Sequence, residues 1–312
     1  VRLAVPTADD TSSLRQIVRQ SPLPLVADVH FHFDRALEAI SAGVAKIRLN
    51  PGNISDRRQV RAVIAAAKDA GVAIRVGVNE GSIASRSGQA ARQKDLAKKT
   101  LVKLMVDKLA EYLDVFQQAD FHELVLSAKS HDAFTCVEVN RQIARRWDYP
   151  LHLGVTHAGT SATGMARSAA ALGALLCDGI GDTIRISFAG DPLPEVQAGL
   201  ELLYSLRLRD RKGINLIACP TCGRLQMDLA PLVEQVRKAL SDITEPLTVA
   251  MMGCVVNGPG EADSADVAIC AGKGKAVLYR QGKKVRVVSA DQIVEAVIGE
   301  VRMLAKQSKT KG

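Results

Sequence analysis

From Val1 to about residue 190, short runs rich in Val, Ile and Leu alternate with longer Ala-rich stretches of helical period. The runs that read as strands are Val1 to Val5, Leu25 to Phe31, Lys46 to Asn50, Ile74 to Asn79, Leu124 to Lys129, Leu151 to Thr156 and Thr183 to Phe188. Helices fall between them. Asp56 to Ala70, for example, lines up Val60, Val63, Ile64 and Ala67 and stops at Gly71, a residue suited to a left-handed cap. Seven strands separated by helices imply a parallel sheet, with a TIM-type β/α barrel as the leading form and a doubly wound open sheet as the other. Because Val1 lies inside a strand-like run, this reading expects the barrel's first strand and its helix upstream.

Within each strand one parity is polar, and residues two apart share a face. Arg2 and Ala4, Asp28 and His30, Lys46 with Arg48 and Asn50, and Arg75 with Gly77 and Asn79 fall on it. Ser127 and Lys129, His152 with Gly154 and Thr156, and Arg185 with Ser187 continue the pattern. The opposite parity is almost wholly aliphatic and should face the helices. In a barrel the polar parity then points inward and towards the rim where the strands end. Arg2, Arg48, Arg75, Lys129 and Arg185 converge there with one acid, Asp28, which suits a multiply charged anion such as a diphosphate. The plainer reading is that these cations sit at solvated strand ends or pair with acids from loops.

After Pro192 the pattern changes. A helix from about Pro194 to Leu206 leads through a basic turn, Arg207 to Gly213, into a strand Ile214 to Ala218 that runs straight into Cys219. A helix Asp228 to Leu240, a strand Leu247 to Met252, a hairpin of Ala276 to Tyr279 with Lys284 to Val288, and a closing helix Gln292 to Lys306 complete an α+β unit. The expected division is residues 1–210 as a substrate-binding barrel and 211–312 as a smaller cluster domain.

Charge and composition narrow the function. A net charge of +8 favours anionic ligands, while 4% aromatic residues, without a basic run interleaved by aromatics, speak against nucleic acid. No apolar run approaches a membrane span. Six Cys in 312 residues are too few for a disulfide scaffold and point to a reducing, cytosolic compartment, a plastid being left open because a targeting segment could precede Val1.

The cysteine pattern carries the chemistry. Cys219-Pro220-Thr221-Cys222 is followed after 31 residues by Gly253-Cys254, with Glu261 seven positions further on. Two Cys on a tight turn can grip one side of a metal centre, and a second strand end supplies the rest. Three thiolates and a carboxylate suit a 4Fe-4S cluster with one exchangeable iron, whereas structural zinc takes four Cys or His ligands. Zinc remains the second reading of the spacing. Cys136, Cys177 and Cys270 read as buried small apolar residues.

These segments resemble the 4-hydroxy-3-methylbut-2-enyl diphosphate synthase family, the iron-sulfur enzymes of the non-mevalonate isoprenoid pathway. The likeness runs through Arg2-Leu3-Ala4-Val5-Pro6, Leu25 to Phe31, Arg48 to Asn53, Arg75 to Asn79, Leu151 to Thr156 and Gly179 to Arg185. It is most specific in Ala218 to Cys222 and Gly253 to Glu261. The resemblance implies a barrel that binds 2-C-methyl-D-erythritol 2,4-cyclodiphosphate, a cluster domain, and a homodimer in which one subunit's cluster serves the other's barrel. Electrons would come from ferredoxin or flavodoxin. It assigns the cluster to Cys219, Cys222 and Cys254, and the exchangeable position to Glu261. It gives Arg2, Arg48, Asn50, Arg75, Asn79, Lys129, Arg185 and Ser187 to the substrate, with Asp28 and His30 beside them on the polar parity.

One departure stands out. Where the family reads Thr-Glu-Ala-Gly, this chain reads Thr156-His157-Ala158-Gly159. His157 can still transfer a proton, so it joins Glu261 as a catalytic candidate. The alternatives are a zinc-stabilised binding module and a divergent, inactive paralogue that keeps the cluster.

Overall fold

The structure, a computed structural model, describes residues 1–30, 32–50, 54, 56–81, 98–157, 159–254 and 258–309, leaving aside the side chains of Lys98, Lys99, Glu261 and Ala262. Phe31, Pro51 to Asn53, Ala158 and Val255 to Asn257, all part of the motifs above, lie outside the described residues. The chain divides into two compact units, Val1–Arg209 and Asp210–Gly312.

In the first unit β1 (Arg2–Ala4), β2 (Val26–Asp28), β3 (Lys46–Leu49), β4 (Ala73–Asn79) and β5 (Leu124–Lys129) pair in chain order as one parallel sheet. A parallel bridge between Leu126 and Leu151 leads on to the parallel pair β6 (His152–Leu153) and β7 (Thr183–Ile184). Helices α1 (Ala8–Gln20), α2 (Phe33–Ser41), α3 (Arg57–Ala70), α4 (Lys98–Gln118), α5 (Ala133–Arg146), α6 (Ser161–Cys177) and α7 (Leu193–Ser205) complete the alternation. Local chemistry sets their ends. Thr7 and Asp10 form a capping box on α1, Asp56 caps α3, Asp132 caps α5, and Gly71 closes α3 at a φ of 65°.

The aliphatic parity is buried against the helices as expected. Ala27, Ile47, Ile74 and Leu126 lie in one apolar core with Val60 and Val63 of α3, Leu109 and Phe116 of α4 and Ile143 of α5. Leu202 and Leu203 of α7 pack on this same core. Strands β6 and β7 are shorter than their sequence runs because the backbone beyond Leu153 bonds elsewhere. Arg185 N–H donates to Leu153 O at 2.9 Å, while Thr156 N–H donates to Ser130 O at 3.0 Å. An α/β unit with a parallel, sequentially ordered sheet is thus established; among the described residues no ladder joins β7 to β1. Cys136 is buried as expected, but Cys177 is exposed. It is the last residue of α6, past the buried Leu172, Leu175 and Leu176.

The second unit is a mixed sheet in the order β12–β11–β10–β9–β8. Strands β8 (Asn215–Ala218), β9 (Thr248–Met252) and β10 (Val267–Ala271) are parallel, and β11 (Lys275–Arg280) and β12 (Lys283–Ser289) add an antiparallel hairpin. Helices α8 (Ala230–Ala239) and α10 (Ile293–Lys309) cover one face through Val236, Val297 and Val301 on Val249, Met251 and Ile269. The other face carries a smaller cluster of Ala250, Met252, Ala265, Ala268 and Cys270, beside the short helix α9 (Gly258–Ala262).

Candidate active site

Register places the charged side chains of the first unit in layers. Asp28 pairs with Arg48, and Arg48 with Arg75, so one row across β2, β3 and β4 reads acid, base, base. Gly77 opposite Ser127 forms the next layer, and Asn79 opposite Lys129 the one above. Asp28, Arg48, Arg75 and Lys129 are each 5–7% exposed, unusual burial for charged residues. Asp28 answers two of the cations, its Oδ1 accepting from Arg48 Nη1 at 3.0 Å and its Oδ2 facing Arg2 Nη1 at 3.1 Å. His30 Nε2 stands 3.9 Å from the same Oδ2.

These groups line a cavity of about 220 Å³ together with Asn79, Thr156, His157 and Arg185. That is smaller than the roughly 300 Å³ at which drug-sized pockets begin, and fits a compact ligand. Gly77 makes room in its wall: a β-carbon there would lie 2.6 Å from Ser127 Oγ and 3.7 Å from Arg48 Nε. A second cavity of about 240 Å³, between β7 and α7, is walled by Ile184, Ile186, Leu200 and Leu203. It has no comparable convergence of charge.

The cavity is short of negative charge. Burial, followed by repulsion from Arg2 and Arg48, pushes the Arg75 guanidinium down to about 10. Burial and then Arg185 and Arg75 hold Lys129 well below its ordinary value, and burial followed by Arg2 lowers Arg185. His152, beneath them on β6, is pushed down to about 2 by burial and by Lys129, so its ring is neutral. The buried nitrogens Arg75 Nε, Arg185 Nε and His152 Nε2 find no hydrogen-bond partner among the described residues. Buried donors are nearly always satisfied, and unsatisfied cations are costlier still. An anion with several oxygens would answer the deficit.

Not every expected residue reaches this cavity. Asn50 is buried and Ser187 half-buried, but neither lines it. Ser127 and Thr156 do line it; they were on the polar parity, yet small hydroxyls gave no reason to single them out. His157 adopts a left-handed backbone, φ 52°, rare for a side chain with a β-carbon and a form of strain that clusters at functional sites. Near this rim Ser130 Oγ donates to Glu80 Oε2 at 2.5 Å, and His131 Nδ1 lies 3.0 Å from the same oxygen.

In the second unit the cysteines stand where parallel strands end, the customary position for ligands in such sheets. Cys219 follows β8, and Gly253-Cys254 follow β9. Gly253 N–H donates to Cys219 Sγ at 3.0 Å, and Gln226 N–H donates to Gly253 O at 2.9 Å, tying the two loops together. A β-carbon at position 253 would collide with Leu225 and press on Cys219 Sγ at 3.3 Å. Cys222 is exposed, while Cys219 and Cys254 are half-buried. Among the described residues no three His, Cys, Asp or Glu side chains converge on one point. Three thiols from two strand ends, with an amide aimed at one of the sulfurs, are a donor set whose chemistry suits a cluster. The side chain of Glu261 lies outside the described residues, although its backbone belongs to α9.

Fold and sites together define an α/β protein with a cation-lined cavity at its parallel strands and a cysteine-bearing site in a second unit. The GcpE TIM-barrel domain matches residues 1–200, and the GcpE protein C-terminal domain matches residues 215–303, so the chain belongs to the GcpE family. A relative from Geobacter sulfurreducens named 4-hydroxy-3-methylbut-2-en-1-yl diphosphate synthase (flavodoxin) is 45% identical over 97% of this chain and 84% of its own length. A relative of the same name from Symbiobacterium thermophilum is 43% identical over all of this chain and 82% of its own. Among solved structures, phosphoenolpyruvate phosphomutase from Streptomyces platensis subsp. rosaceus aligns with 64% of this chain and 66% of its own at 12% identity, with a TM-score of 0.37 too low to carry an argument.

Proposed function

We propose that this chain reduces 2-C-methyl-D-erythritol 2,4-cyclodiphosphate to 4-hydroxy-3-methylbut-2-enyl diphosphate. Two electrons from reduced flavodoxin or ferredoxin open the ring, and one hydroxyl leaves as water. The observation that carries this reading is the cavity in which Arg48, Arg75 and Lys129 are buried around a single carboxylate.

Arg2, Arg48, Arg75, Lys129 and Arg185 hold the diphosphate. Opening the ring releases one phosphate oxygen from carbon and adds negative charge to that group, so cations already fixed there favour the product-like state over the starting ring. Asp28 keeps Arg2 and Arg48 apart and aimed. Asn79 and Ser127 orient the ring hydroxyls, and His157 passes a proton to the departing hydroxyl. A 4Fe-4S cluster on Cys219, Cys222 and Cys254, with Glu261 at the fourth position, supplies Lewis acidity and electrons when bound. Residues 1–210 form a closed TIM-type barrel, residues 211–312 form a cluster domain, and the protein works as a homodimer.

Anaerobic purification tests the cofactor. The expected product is brown, with about four iron and four sulfide per chain. A colourless protein with one zinc would overturn the reading in favour of a zinc-stabilised module. Comparing His157→Glu with the parent bears on the third possibility: an inactive parent beside an active variant would mark the chain as a paralogue that keeps the cluster without the chemistry.

A further inference from the structure

Glu80, Ser130 and His131 stand just beyond the strand ends of the first unit and outside the lining of its cation-rich cavity. Glu80 follows Asn79 and Ser130 follows Lys129, two cavity residues that are register partners across β4 and β5. Ser130 is wholly buried. Its hydroxyl donates to Glu80 Oε2 at 2.5 Å and accepts the Asp132 N–H at 3.0 Å, while its carbonyl accepts the Thr156 N–H at 3.0 Å. One residue therefore ties together the chain beyond β4, β5 and β6. His131 Nδ1 lies 3.0 Å from the same Glu80 oxygen, and its side chain is 59% exposed against 20% for Glu80.

The tie ends where the cavity carries its strained residue. Thr156 lines the cavity and is followed by His157, whose left-handed φ of 52° persists only if the surroundings hold it there. Asn79 and Lys129 are fixed by the β4–β5 ladder. Thr156 lies beyond the end of β6, and its N–H goes to Ser130 O instead. Ser130 in turn is set by Glu80, and a carboxylate accepts a stronger bond from a hydroxyl than a neutral oxygen does. Loosening Ser130 therefore reaches the His157 backbone directly. It leaves in place Arg48 and Arg75, which sit lower, within the ladder of β3 and β4.

We propose that Glu80 is a positioning residue for proton transfer: through Ser130 it fixes Thr156 and so aims the His157 imidazole. The inference rests on the proposed function and on the role given there to His157. Glu80 itself neither gives nor takes a proton.

The test compares the cluster-loaded parent with Glu80→Gln, Ser130→Ala, His157→Ala and the double variant Glu80→Gln/His157→Ala, using reduced flavodoxin and the cyclic diphosphate. Glu80→Gln should lower kcat about 10-fold, within what an aimed proton donor contributes, and leave KM within about 2-fold. Ser130→Ala breaks the same bond from its other end, should act alike, and serves where Glu80→Gln fails to fold. Because Glu80 acts through His157, adding Glu80→Gln to His157→Ala should cost less than about 2-fold more. Pyrophosphate should bind the parent and both single rim variants equally. A kcat equal to the parent's in Glu80→Gln and Ser130→Ala, losses that multiply in the double variant, or weaker pyrophosphate binding in Glu80→Gln would each overturn the inference while leaving the proposed function intact. A cluster-loaded parent without turnover would overturn both.

Discussion

Replacing Asp28 by Asn should have opposite effects on stability and on anion binding. The carboxylate bonds Arg48 at 3.0 Å with both side chains under a tenth exposed, and faces Arg2, itself 35% exposed, at 3.1 Å. Removing one partner of a buried pair costs about 3–5 kcal/mol. The contact with half-exposed Arg2 is screened and adds at most about 1 kcal/mol. Asn keeps one oxygen as an acceptor, so the low end, about 3 kcal/mol, applies. For a unit of some two hundred residues this lowers Tm by about 6–12 °C. The same substitution removes the only carboxylate among the described cavity residues. At about 6 Å and an effective dielectric of about 20, one charge is worth roughly 3 kcal/mol, so even after screening pyrophosphate should bind at least ~10-fold more tightly. Thermal unfolding and titration calorimetry with pyrophosphate at fixed ionic strength measure the two effects. A variant as stable as the parent, or one that binds pyrophosphate no better, would refute the reasoning.

Other consequences are equally specific. Arg48→Ala removes a buried charge-assisted bond worth about 1.5–3 kcal/mol, so steady-state kinetics should show KM raised about 10- to 100-fold; an unchanged KM would mean that the β3 row does not touch substrate. Gly77→Ala should cost about 1–3 kcal/mol in urea unfolding. Because Ser127 Oγ is the nearest atom at 2.6 Å and the next stand at 3.7 and 3.8 Å, Ser127→Ala should recover most of the loss, and simple additivity would contradict this. His152 has its folded pKa lowered to about 2, below an unfolded value of about 6.5, so between the two the unfolded state binds the extra proton. Its contribution is therefore present above pH ~6.5 and falls as pH drops, by roughly 1.5 kcal/mol between pH 6.5 and 5. Urea unfolding at both pH values should show a shallower loss in His152→Gln, and equal losses would exclude the buried neutral ring as a source.

Periodicity makes the cation-lined cavity legible in the sequence. Arg48 and Arg75 alternate with Ile47 and Ile74 along their strands, and alternation of two in a sheet packed on helices decides which side each faces. That the two lie side by side with Asp28 is a matter of register, which no single strand encodes. Ser130, Glu80 and His131 had no signal at all, since they follow the ends of strands, where periodicity stops. The cysteine motifs show the same division. Cys219 and Cys222 announce themselves by spacing, whereas Cys270 read as an ordinary core residue and is buried like one. The sequence run through Gly154 and Thr156 outlasts β6 because the alternation continues after the ladder ends, the Thr156 N–H donating to Ser130 O.

Turnover tests the central claim most directly. The chain, loaded anaerobically with iron and sulfide and supplied with reduced flavodoxin and 2-C-methyl-D-erythritol 2,4-cyclodiphosphate, can be followed by phosphorus NMR. The expected result is conversion of the cyclic diphosphate signals into those of a linear diphosphate ester, with two electrons consumed per molecule. A cluster-loaded, reduced protein that leaves the ring intact would contradict it.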